Sequence, residues 1–182
     1  MTRQSDFDAF VERQQELRKQ PEAFNADKEL RRWRQDLANL YKQIEGYLKK
    51  YIDGGTATIS YSKISLNEEF AGNYEMEKMR LSIGPSIVTF TPVGTMLIGA
   101  RGRVDVQGPH GRARLVLIGK DVNSARQMIR VAVSEMPPSP KLLPDPGSIE
   151  WTWKISTLPP EMKFIDLTED AFFDMILAIA NG

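Results

Sequence analysis

Between Gly99 and Arg130 the basic residues are Arg101, Arg103, Arg112, Arg114, Lys120, Arg126 and Arg130, against only Asp105 and Asp121. A guanidinium presents a planar fork of donors that matches phosphate and carboxylate oxygens. Arg101, Arg103, Arg112 and Arg114 are therefore a candidate anion-binding set, with a nucleotide, a nucleic acid or an acidic protein surface as its ligand. Nucleic acid is the less favoured of these, because no aromatics are interleaved for base stacking and the sequence pI is near 6.6. The same residues also read as a mixed-charge outer face in which Asp105 and Arg114 form a cross-strand pair.

Three other patterns have chemical precedent and weaker context. Pro144-Asp145 followed by Glu161-Met162-Lys163 has the order of a PD and ExK nuclease set, in which carboxylates hold Mg2+ and the lysine orients the attacking water. Prolines fence Asp145, however, and Glu161 follows Pro159-Pro160, whereas that chemistry needs carboxylates on rigid neighbouring strands. A Mg-dependent nuclease is thus the third and least favoured expectation. His110 is the single histidine and sits in a Gly-Pro-His-Gly turn, which suits an exposed turn residue better than a zinc ligand or a catalytic base. Gly94, Gly99 and Gly102 lack the following Lys-Ser/Thr of a phosphate loop and read as bends or bulges in a sheet. No cofactor, metal or catalytic set is expected.

The elements that must carry these residues follow from periodicity. Phe7, Phe10, Val11 and Leu17 fall on one face of a first helix ending near Pro21. A second helix opens with Asn25 as its cap and runs to about Tyr51, before Asp53-Gly54-Gly55. Along it Leu30, Trp33, Leu37, Leu40, Ile44, Tyr47 and Tyr51 recur at spacings of three and four, a heptad seam. Such a seam packs either on its own chain or on a partner, and its aromatics suit a docking interface better than a two-stranded zipper. These seam residues are the candidate partner-binding set.

From Thr56 the composition turns β-branched and aromatic, with turns too closely spaced for parallel crossovers. The expected strands are 56–65, 74–83, 87–91 and one from Met96 onward, with 66–73 as a loop. Placing the next turn at Gly108-Pro109-His110-Gly111 fixes a hairpin register: Gln107 faces Arg112, Asp105 faces Arg114 and Arg103 faces Val116. Val104, Val106, Ala113 and Leu115 then share the apolar face. Residues Ile129, Val131 and Val133 alternate as a strand, with a short helix as the alternative, and the proline-rich 136–148 reads as an extended loop. Ile149, Trp151, Trp153 and Ile155 mark the clearest strand. A short strand within 162–167 and a helix capped by Thr168 end the chain.

The expected fold class is α+β: an N-terminal helical hairpin, then a bent antiparallel sheet or partial barrel of about six to eight strands, closed by a C-terminal helix. Residues 1–53 form the helical region and 54–182 the β domain with its helix, as one integrated unit. With 182 residues the chain is long enough to bury a core unaided. Its 24 basic and 24 acidic residues balance, so no global field selects a nucleic acid or membrane partner. Absent cysteine, a start without an apolar leader and no run near membrane-spanning length lead to the expectation of a cytoplasmic protein without a membrane partner. The function expected is non-enzymatic: docking on a protein partner, or homo-oligomer formation, through the long N-terminal helix.

Overall fold

In the computed structural model, the described residues are 7, 8, 11, 26–69, 71–95, 100–124, 149–157, 160 and 162–181. Phe7, Asp8 and Val11 are helical and exposed; the rest of the first expected helix lies outside the described residues, as do the 129–133 strand, the proline-rich loop, and Asp145 and Glu161 of the nuclease pattern. The long helix, α1, spans Ala26–Asp53. Strands β1 (Ala57–Glu68), β2 (Gly72–Ile83), β3 (Ser86–Gly94), β4 (Gly102–Gln107), β5 (Arg112–Gly119), β6 (Trp151–Ser156) and β7 (Phe164–Asp166) follow, then α2 (Glu169–Ala180). The chain is α+β, and its strands lie in one antiparallel sheet in strict sequence order, β1 at one edge and β7 at the other.

Both helices pack on one face of this sheet. Trp33, Leu40, Ile44, Leu81, Phe90, Val104, Leu115 and Phe172 are among the residues that meet in a single buried cluster drawn from α1, β1 to β6 and α2. Phe172 of α2 stacks on Phe90 at 6.4 Å and lies 5.7 Å from the Tyr47 ring of α1. Burying such rings together is the largest favourable term available to a sheet covered on one side. Thr168 caps α2 as its sequence position suggests, its hydroxyl accepting from the Ala171 amide at 3.2 Å. No helix among the described residues is long and apolar enough to cross a membrane.

The β4–β5 hairpin has the register that its turn dictates, with Gln107 opposite Arg112, Asp105 opposite Arg114 and Arg103 opposite Val116. The β1–β2 hairpin is longer than the alternation suggests, because 66–73 continues the ladder to Glu68 opposite Gly72. The burial pattern explains the difference. Met79 and Leu81 are buried on one parity, Tyr74 and Met76 on the other, yet the pairing never slips. A two-stranded ribbon twists strongly, so its far end turns the opposite face toward α1. A period-two count breaks where that turn occurs.

The outer face is not uniformly polar either. Val116, Ile118, Val122 and Phe164 form a second buried cluster there, and Lys154 beside them is fully buried. Its ammonium donates to the Lys120 carbonyl at 2.6 Å and to Asn123 Oδ1 at 2.9 Å, and pairs with Asp166 at 3.1 Å. This one side chain thereby holds the 119–124 loop and β7 to β6.

Candidate docking surface between the long helix and the edge strand

The two edges of the sheet are unequal. β7 has 3 residues, while β1 has 12 and, among the described residues, pairs only with β2. An edge strand presents a row of unpaired amides and carbonyls, and a long one is a template for another strand. Its exposed side chains include Thr58, Ser60, Tyr61, Ser62 and Lys63. Lys63 is held by Glu75 at 3.0 Å, an exposed pair worth little in stability.

Alongside this edge runs a groove of about 650 Å3, walled by Lys42, Glu45, Gly46 and Lys49 of α1 and floored by Ala57, Ile59 and Tyr61 of β1. A smaller hollow of about 220 Å3 shares Lys42, Glu45 and Tyr61 with it, and extends past Ala38 and Tyr41. The trough lies where α1, crossing the sheet face, passes beside β1 and β2. Tyr41 anchors the helix there, donating to the Glu77 carbonyl at 2.7 Å, and Trp153 Nε1 donates to the Asp36 carbonyl at 3.3 Å.

Gly46 is the anomaly in this wall. It sits in the interior of α1, where glycine is worse than alanine by roughly 0.5–1 kcal/mol. Among the described residues a Cβ built there would meet nothing within 4 Å, so their packing does not require a glycine. Its effect is to leave the helix surface flat where it borders the groove. At the groove floor the Tyr61 hydroxyl donates to Glu45, and its ring lies 5.6 Å from that of Tyr41. Burial first, and the Glu45 bond second, push the Tyr61 phenol above its ordinary range, and burial does the same to Tyr41. Both phenols are neutral donors.

The sequence-predicted seam residues are not among those that line this groove. Trp33, Leu37, Leu40 and Ile44 are buried against the chain's own sheet, Leu30 and Tyr47 are half-buried, and Tyr51 is 43% exposed with its ring edge-on to Phe173. Tyr41 and Leu48, off the heptad line, are buried instead. A straight helix of 3.6 residues per turn drifts against a 3.5 repeat, so the buried stripe leaves the seam toward its C-terminal end. Tyr47 caps the stripe by donating to the Leu167 carbonyl at 2.9 Å.

The arginine set is brought together only in part. Arg103 grips Asp105 through two 2.7 Å bonds, and Arg114 approaches the same carboxylate at 3.6 Å. Arg112 is exposed on the same face. Arg101 lies apart, on the α1 side, with its guanidinium 4.7 Å over the Trp151 ring. Burial and then nearby Arg32 lower its pKa, while Asp36 and Glu29 act the other way. An anion approaching Arg103 and Arg114 would compete with Asp105, which already occupies the Arg103 fork and offsets one of the two positive charges.

Features outside the predicted set are structural. Glu68 accepts from the Tyr74 hydroxyl, from the Thr95 amide at 2.9 Å and from the Thr95 hydroxyl at 2.9 Å, fastening the tip of the first hairpin to the end of β3. The side chain of His110 is exposed, but its amide donates to the Ile179 carbonyl at 2.9 Å, so the turn docks on the C-terminal end of α2. Gly108 permits that approach, since a Cβ there would stand 2.4 Å from the same carbonyl oxygen. Among the described residues no group of His, Cys, Asp and Glu could hold a metal ion. No protein-family model, curated protein or solved structure matches the chain.

Proposed function

We propose that this protein works by association with another polypeptide, acting as a non-enzymatic assembly protein through the surface that α1 shares with β1. The reading keeps the long N-terminal helix as the docking element but places the contact on its Lys42, Gly46 and Lys49 side. The single observation that carries it is that a 12-residue strand, paired on one side only among the described residues, borders a groove whose helical wall is kept bare by Gly46. Backbone pairing along an edge supplies affinity, and an adjacent groove supplies selectivity for side chains.

A photoactivatable benzoylphenylalanine at position 42, on the groove rim, tests this against the same group at position 80 on the exposed outer face. Irradiation should join the chain to a polypeptide from position 42 and not from position 80. Equal yields from both positions, or none from either, would remove the basis for the reading.

A further inference from the structure

We infer that the occupant of the groove is a second copy of this chain, joined by antiparallel pairing of the two β1 strands about a twofold axis through Ser62; this rests on the association reading above. The first support is what β1 lacks. Proteins protect exposed edges with proline, bulges, short strands, charged side chains or a covering element. β1 has no proline and pairs with β2 without a register shift, and its one charge between Ala57 and Asn67, Lys63, is already engaged by Glu75 of the neighbouring strand at 3.0 Å. The opposite edge, β7, is protected by shortness.

The second support is self-complementarity, which a twofold interface requires. An axis through a residue keeps like faces of the two sheets on the same side, so both α1 helices cover one face of a continuous sheet. Centring on Ser62 pairs the strand along almost its whole length, from Ala57 opposite the partner's Asn67 to Asn67 opposite the partner's Ala57. Lys63 then faces the partner's Tyr61. Centring on Lys63 would instead set two ammonium groups against each other. Ser62 is exposed and small, so nothing obstructs the axis. Residues on the inner side of the incoming strand enter the groove beside Gly46, where a larger side chain would stand in their way. The chain's formal charge of zero means that two copies meet without net repulsion.

The absence of cysteine makes the test clean. Directly opposite residues have Cβ atoms about 4.5–5.5 Å apart, close to disulfide reach. Under mild oxidation Ser62→Cys should give a covalent dimer, and Ser60→Cys, displaced from the axis on both strands, should not. Light scattering of the unmodified chain should rise with concentration toward twice 20.6 kDa. Ser62→Lys should weaken that association about tenfold or more while leaving the circular dichroism spectrum unchanged. Crosslinking through Ser60→Cys rather than Ser62→Cys would overturn the register. A monomer at every concentration with no crosslink from either variant would overturn the dimer. If position 42 then still captures another polypeptide, the association reading stands with a different occupant; if it captures nothing, both fall.

Discussion

Trp33→Ala is expected to destabilise the protein by about 3–5 kcal/mol, the range for removing a large buried aromatic from a core. Trp33 is 1% exposed, lies 6.2 Å from the Trp153 ring and joins α1 to the sheet at its centre. Its six-membered ring rests on Gly102, where a Cβ would be 2.4 Å from Trp33 Cζ3. Gly102→Ala should therefore cost about 1–3 kcal/mol on its own, through overpacking rather than through backbone conformation. The two effects share one contact, so they should not add. In a Trp33→Leu background the alanine at 102 should cost much less, because the clashing ring is gone. Chemical denaturation of the two single variants and the double variant measures this. Strict additivity would mean that Gly102 serves something other than the indole.

Lys154→Ala is expected to cost about 2–4 kcal/mol, through the void left by a fully buried side chain and the loss of its hold on the 119–124 loop. Lys154→Met discriminates between those causes. Asn123 and Asp166 are exposed residues, so water can serve the side-chain oxygens that the ammonium relinquishes. Methionine keeps the length of the stem and should recover more than half of the loss. If Lys154→Met is as damaging as Lys154→Ala in thermal unfolding, the hydrogen bonds outweigh the packing.

The parts of this fold that sequence made legible are those fixed by neighbours along the chain. The Asn25 to Tyr51 helix lies within a few residues of α1, the Gly-Pro-His-Gly turn set the β4–β5 register, and Thr168 marked the start of α2. What escaped depends on residues distant in sequence. The exchange of faces in β1 and β2 comes from ribbon twist, which no alternation count contains. Lys154 falls on the polar parity of its strand, and its cover is a loop 30 residues away in sequence, where Lys120 also pairs with Glu150 at 3.0 Å. Arg101 was grouped with the hairpin arginines by proximity, whereas its position is set by Trp151 and α1.

The candidate site was less legible than the fold. The seam from Leu30 to Tyr51 marked the long helix, but it marked largely the core side of it, since an apolar stripe looks the same whether its own sheet or a partner covers it. The signal for the other side was available in Gly46. Glycine within an otherwise continuous helical pattern is unfavourable, and its presence at an interior position asks for a reason in packing or function. Only the open space around it, and the unpaired strand beside it, make the functional reason the better one.

Gly46→Leu therefore tests the central claim most directly, with self-association followed by light scattering beside a denaturation curve for each protein. Leucine restores helix propensity at a site with room for it, so the chain should become more stable by about 0.5–1 kcal/mol. Its side chain enters the groove, so dimer formation should weaken by about tenfold or more. A more stable variant that associates as strongly as the parent would contradict the account, because the groove beside Gly46 would then have no part in docking.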